Sequence, residues 1–204
     1  MPFTQLGLHS ALIKAVTELG YQSPTPIQAQ AIPSILAGKN VLAAAQTGTG
    51  KTASFVLPLL HRFADAPKIR PKRVRTIILT PTRELALQVE QNINQYAKYL
   101  PLTAMAMYGG VDAAPQKKRL IEGVDLLVAT PGRLLDMYTQ RAIRFDEVSV
   151  IRILTLKMEI RVQKSKSQKK RLIIAMTGAG ESTLARHADI WLDISVEREV
   201  CPNN

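Results

Sequence analysis

The sequence predicts an α/β protein, a parallel sheet with helices on both faces, and three observations carry that prediction. Short, continuously apolar runs alternate with runs of helical period. The first of them leads directly into Gly48-Thr49-Gly50-Lys51-Thr52. Glycines, prolines and polar residues gather just after the apolar runs, where open α/β sheets bind ligands. Strands that are apolar throughout belong in a parallel sheet covered on both sides.

The elements follow in order. Apolar spacing predicts a helix over residues 8–19, closed by Gly20, and another over 26–36, closed by Gly38. Strand and helix then alternate at 40–44 and 51–61, 75–79 and 83–99, 103–108 and 113–121, and 125–129 and 131–138. Residues 67–75, rich in Lys, Arg and Pro, read as a surface loop. A strand within 148–156 leads into a basic segment. After it come a strand at 171–176, a turn at Gly178-Ala179-Gly180, a helix at 182–187 and a strand at 190–196. No solenoid-type repeat is visible in the sequence.

With 204 residues, 46% of them hydrophobic, the chain has material for one sizeable core and a small second unit. No apolar run approaches the roughly 18 residues that span a membrane, and the start lacks the regions of a signal peptide. A cytoplasmic location without a membrane partner is expected. The single cysteine, Cys201, rules out an intramolecular disulfide and gives no metal cluster. A net charge of +11 favours a polyanionic partner. Lys157, Arg161, Lys164, Lys166, Lys169, Lys170 and Arg171 stand against one acid, Glu159, in a Ser/Gln/Lys-rich stretch that reads first as a solvated linker, with a dedicated RNA contact as the alternative.

Residues 45–52 have the spacing of a phosphate-binding loop, with Ala45 where the strict pattern has Gly. Thr47, Gly48, Thr49 and Gly50 would let backbone N–H groups curl around a polyphosphate. Lys51 would supply a point charge to its terminal phosphates, and the Thr52 hydroxyl a magnesium ligand. ATP or ADP with Mg2+ is the expected cofactor, and Lys51 and Thr52 are the catalytic candidates.

Further motifs flank this loop. Gly20-Tyr21-Gln22-Ser23-Pro24-Thr25-Pro26-Ile27-Gln28 stands upstream, with Phe3 seventeen residues before Gly20. Pro81-Thr82-Arg83-Glu84-Leu85-Ala86, Gly109-Gly110 and Thr130-Pro131-Gly132-Arg133-Leu134 stand downstream. In this order and at these distances, residues 1–150 closely resemble the first RecA-like domain of DEAD-box RNA helicases, most like the bacterial RhlE-type group. The resemblance makes Gln28 the adenine reader, a role its amide suits because a donor and an acceptor side by side match adenine's N6 and N7. It also places Phe3 and Tyr21 around the base, although on their own these aromatics read as core residues and Gln28 as a helix-surface amide. Arg83, Gly110, Thr130 and Arg133 are implied to grip the backbone of single-stranded RNA, without reading sequence. Arg83 with Glu84 reads equally as an ion pair at a helix start, and Thr130-Pro131 as an N-cap followed by proline.

The likeness breaks after residue 150. Where the family ends a strand with Asp-Glu-Ala-Asp, this chain reads Ile151-Arg152-Ile153-Leu154-Thr155-Leu156-Lys157-Met158-Glu159. Asp146-Glu147 precede the strand, and Glu159 has no partner acid, so the acids that hold magnesium and orient water in the family have no counterpart here. No second RecA-like domain is expected from the residues that follow. Residues 172–202 instead resemble a segment of sugar isomerase (SIS) domains of the arabinose-5-phosphate isomerase type, without the Ser-rich phosphate loop of those domains. His187 reads as a helix-end residue, and Gly178-Ala179-Gly180 as a tight turn.

The expected organisation is thus a helicase-like domain over 1–150, a basic linker over 151–170 and an SIS-like strand-helix-strand over 171–204 that completes the first domain's sheet. The expected function is adenine-nucleotide and RNA binding, weak and salt-sensitive for RNA, with little or no hydrolysis. The alternatives are an active ATP-dependent RNA helicase and a sugar-phosphate-binding fragment.

Overall fold

In the computed structural model, the described residues are 2–39, 41–44, 48–65, 74–143, 150–154, 172–177 and 190–193. They form a seven-stranded sheet from β1 (Val41–Ala44), β2 (Thr76–Leu79), β3 (Ala104–Met107), β4 (Leu126–Ala129), β5 (Val150–Leu154), β6 (Leu172–Thr177) and β7 (Ile190–Asp193). The strand order is β3-β4-β2-β5-β6-β1-β7, and every pairing is parallel. The predicted fold class is what the chain adopts.

A 3-10 turn at Phe3–Leu6 precedes α1 (Ser10–Glu18) and α2 (Pro26–Leu36). The helices α3 (Lys51–Ala64), α4 (Arg83–Tyr96), α5 (Ala114–Glu122) and α6 (Pro131–Thr139) connect successive strands. Their placement follows from the right-handedness of parallel crossovers. The connections β1 to β2 and β2 to β3 run one way across the sheet, whereas β3 to β4 and β4 to β5 run back. Successive helix pairs therefore fall on opposite faces. The core divides accordingly. Ile78, Ala104, Ala106, Leu126 and Val128 point to the face covered by α1–α4, together with Leu12, Ile32, Phe55, Leu57 and Ile93. Their neighbours Ile77, Leu79, Met105, Met107, Leu127 and Ala129 point to the other, against Leu120, Leu134 and Met137 of α5 and α6. Burial on both faces explains why these strands are apolar without alternation.

Three helices differ from their predicted bounds by two residues or more at one end, for local reasons. His9 is the N-cap of α1, its side chain accepting from Ala11 N, so the helix starts at Ser10 and not at residue 8. The stripe of α3 continues to buried Phe63, which carries that helix on to Ala64. Residues 97–99, expected at the end of α4, instead form a turn in which Leu100 N bonds Ala97 O at 2.8 Å.

The two strands expected within the C-terminal segment join the N-terminal sheet. β6 pairs with β1, Val41 opposite Ile174, and with β5, Ile151 opposite Ile173; β7 borders β1 on its other side. The expected helix over 182–187 with His187, the Gly178-Ala179-Gly180 turn, most of the 67–75 loop, Ala45 to Thr47, Asp146-Glu147, Glu159, the basic stretch from Lys157 to Arg171, and Cys201 lie outside the described residues.

Candidate functional site

A parallel sheet brings all strand carboxyl ends to one edge, and the predicted site residues follow those ends. Gly48 to Thr52 lie beyond β1, Arg83 beyond β2, Gly110 beyond β3, and Thr130 and Arg133 beyond β4. The order across the sheet sorts them into two groups. β3, β4 and β2 are adjacent, so Arg83, Gly110, Thr130 and Arg133 form one rim. β5 and β6 separate β2 from β1, which sets the phosphate loop three strand spacings away, about 14 Å.

Thr47 lies outside the described residues; Gly48 and Gly50 adopt left-handed backbone at φ 81° and 82°. Gly50 is the N-cap of the 14-residue α3 and offers no side-chain cap. Lys51 and Thr52, half-buried, are its first two residues. Burial lowers the pKa of the Lys51 ammonium. A cation at a helix N-terminus opposes the macrodipole, and partial dehydration adds to that cost. An anion seated there would relieve both, so the residues fit a polyphosphate. Among the described residues no group of three His, Cys, Asp or Glu could hold a metal. The Thr52 hydroxyl fits only as one ligand of a phosphate-bound magnesium ion.

The segment bearing Gln28 is bonded to this loop. Gln28, 2% exposed, accepts from Thr25 N at 2.9 Å through Oε1 and donates to Gly50 O at 3.2 Å through Nε2. The Thr25 hydroxyl donates to Thr49 O at 2.9 Å. The alternative of a helix-surface amide does not hold, because Gln28 is buried and closes a capping box at the start of α2. Phe3 is buried in the core, its ring 6.1 Å from that of Tyr21. The Tyr21 hydroxyl meets that of Tyr96 at 2.9 Å, and burial together with this bond pushes the Tyr96 phenol well above the usual tyrosine range.

On the other rim, Arg83 is exposed at the first position of α4. Its guanidinium lies 4.8 Å from the centre of the Tyr108 ring, and among the described residues it makes no pair with Glu84. Thr82, one residue earlier, is the working cap, accepting from Leu85 N at 3.2 Å. Thr130 holds the N-cap position of α6, but its hydroxyl makes no capping bond; its backbone N–H donates to Met107 O at 2.9 Å and ties β4 to β3. Gly110, at φ 79°, is open to solvent. Arg133 is turned inward. Its Nη2 donates to Val111 O at 2.7 Å, its Nε lies 3.7 Å from Asp136, and its Nη1 is buried without a hydrogen-bond partner.

Sheet order, glycine loop and capping of α2 onto that loop define a RecA-like P-loop domain. The family model for DEAD/DEAH box helicases matches residues 25–156, and the chain belongs to that family. It is 44% identical over 149 residues to the ATP-dependent RNA helicase DeaD of Buchnera aphidicola subsp. Baizongia pistaciae, covering 72% of this chain and 24% of that one. It is 40% identical over 152 residues to the ATP-dependent RNA helicase CshA of Limosilactobacillus reuteri, covering 74% and 30%. The matches thus span about a quarter to a third of these relatives. A crystal structure of a DEAD box protein from the hyperthermophile Methanococcus jannaschii superposes with a TM-score of 0.79 at 28% identity, over 95% of this chain and 55% of that one. Such coverage extends into the C-terminal strands, and these comparisons support the helicase-type domain without adding support for a fused sugar-isomerase unit. Among the described residues no helix is long and apolar enough to cross a membrane.

Sequence reading overlooked Thr25, Tyr108 and Gln116. Thr25 was legible, since Thr-Pro-Ile-Gln is a capping-box pattern with proline at the first helical position. Gln116 left a fainter signal, a polar residue on the same face of α5 as Leu120.

Proposed function

We propose that this chain is an adenine-nucleotide- and RNA-binding RecA-like domain acting in ATP-dependent RNA unwinding, the activity named for its relatives DeaD and CshA. The observation that carries the reading is the pair of bonds from Thr25 and Gln28 to Thr49 and Gly50, which couples the Gln28 amide to the phosphate loop. In this reading Lys51 holds the terminal phosphates and Thr52 one position on magnesium, which when bound neutralises phosphate charge. Gln28 keeps one further donor and one further acceptor position for adenine, and Phe3 and Tyr21 back the base. Arg83, Gly110, Thr130 and Arg133 bind the RNA backbone. The spelling of the motifs favours the bacterial RhlE-type group.

The test is a thermal shift with nucleotide. ADP is expected to stabilise the chain more than GDP, and Gln28→Ala to remove the difference. Equal shifts for the two nucleotides in the unaltered chain would refute the adenine role.

A second reading, binding with little or no turnover, rests on one feature. β5, placed between the two groups of site residues, contains no acid, and Thr155-Leu156-Lys157-Met158 follow it. Phosphate release with and without RNA separates the two. RNA-stimulated turnover abolished by Lys51→Ala supports the helicase reading; nucleotide binding without turnover supports the second. The sugar-phosphate alternative has no supporting feature among the described residues.

RNA affinity is expected to fall with salt, with a log-log slope of about −0.7 for each phosphate neutralised on a single strand. A salt-independent affinity would contradict a backbone grip.

A further inference from the structure

Tyr108 follows β3 and immediately precedes Gly109-Gly110. Its backbone N–H donates to Gln116 Oε1 and its carbonyl accepts from Gln116 Nε2, both at 3.1 Å. One side-chain amide thus grips both polar groups of a single backbone unit, much as a neighbouring strand would. Gln116 is 8% exposed on α5, where a buried amide needs partners for both its ends.

The ring so fixed packs half-buried against the core beneath α4, and it is the ring over which Arg83 lies. Arg83 is otherwise exposed at a helix N-terminus, an unfavourable place for a cation. Contact with an aromatic face offsets that and limits the rotamers of a long side chain. Arg133 holds the far side of the turn through Val111 O. The turn is therefore pinned at both ends, while a Cβ added at Gly109 or Gly110 would meet nothing within 4 Å.

We propose that Gln116 and Tyr108 are positioning residues for the RNA grip: Gln116 fixes Tyr108 and the start of the Gly109-Gly110 turn, and the Tyr108 ring aims the Arg83 guanidinium across the rim. This rests on the RNA-binding reading above. Pre-ordering a flexible arginine lowers the ordering cost of binding, so its loss appears as affinity.

The experiment measures binding of a fluorescent oligouridylate to the full chain across a salt series, with the ADP thermal shift as a parallel readout. Tyr108→Leu and Gln116→Leu are expected to weaken RNA binding about three- to tenfold. They should flatten the salt slope by about 0.7 and leave the ADP shift in place. Tyr108→Phe, which keeps the ring, should restore what Tyr108→Leu loses. In an Arg83→Ala background Tyr108→Leu should add no further loss, because the two act through one contact.

Wild-type affinity in Tyr108→Leu, an undiminished loss in the Arg83→Ala background, or failure of phenylalanine to restore binding overturns the proposal. If Gln116→Leu does not fold, the Tyr108 arm decides alone. An unaltered chain that binds ADP but no RNA overturns the reading beneath the proposal. RNA binding that depends on Arg83 but not on Tyr108 overturns the proposal by itself.

Discussion

The Gln28 amide nitrogen donates to the carbonyl of Gly50 at 3.2 Å, joining the start of α2 to the residue that caps α3. The approach is so close that a Cβ at Gly50, already at φ 82°, would run into the Gln28 amide. Gly50→Ala is therefore expected to destabilise by about 1–3 kcal/mol and to abolish the ADP shift. Gln28→Ala, which strips Thr25 N of its acceptor, should cost about 1–3 kcal/mol. The double variant should be less destabilised than the sum, since removing the amide makes room for the Cβ. Full additivity in denaturant melts would contradict the contact.

With Lys51 at the phosphates, as proposed, nucleotide binding should depend on pH in a definite direction. Burial lowers its pKa from the ordinary 10.5, whereas a bound phosphate favours the ammonium. ADP affinity should fall as pH rises through the lowered pKa, and titration calorimetry of Lys51→Met should lose that dependence. Stability without nucleotide runs the other way. The desolvation penalty is complete below the lowered pKa and is relieved as pH rises toward the ordinary value, because the unfolded chain there binds more protons. Nucleotide affinity unchanged across that interval would remove Lys51 from the phosphate site.

The Tyr21–Tyr96 bond links the residue beside Phe3 to α4. Tyr96→Phe leaves the half-buried Tyr21 hydroxyl without this partner and should cost about 1 kcal/mol. Because burial and the Tyr21 bond hold the Tyr96 phenol protonated, an ultraviolet titration of the folded chain should show one tyrosine that ionises only on alkaline unfolding. Its absence would argue against the bond.

Arg133 tests whether geometry or charge matters on the rim proposed to bind RNA. Its bond to Val111 O and its approach to Asp136 require a planar fork. Arg133→Lys is expected to behave like Arg133→Ala in RNA affinity, and both to lose about 1.5–3 kcal/mol of stability. Lysine restoring full binding would show that charge alone suffices.

The C-terminal strands show where sequence reading reached its limit. The strand at 172–177 was legible from its apolar residues, and its joining of the sheet from the order of elements. Its position between β5 and β1 was not, because the pairing with β1 joins residues more than a hundred apart in the chain. The same holds at the site. Thr130 reads as a cap because local residue type favours one, yet the backbone leaves its hydroxyl without a capping bond. Arg133 reads as a phosphate ligand by motif, yet it faces a carbonyl that only the folded turn presents to it.

What the sequence by itself determined is local: the period of each strand and helix, the glycines at left-handed positions, and the spacing that sets Lys51 and Thr52 at the start of a helix. Tertiary structure decided which of these meet. Gln28 reaches Gly50, Gln116 reaches Tyr108, and β6 bridges the sheet because crossover handedness and burial on both faces fix which chain ends lie side by side. Spacing along a chain carries no record of that.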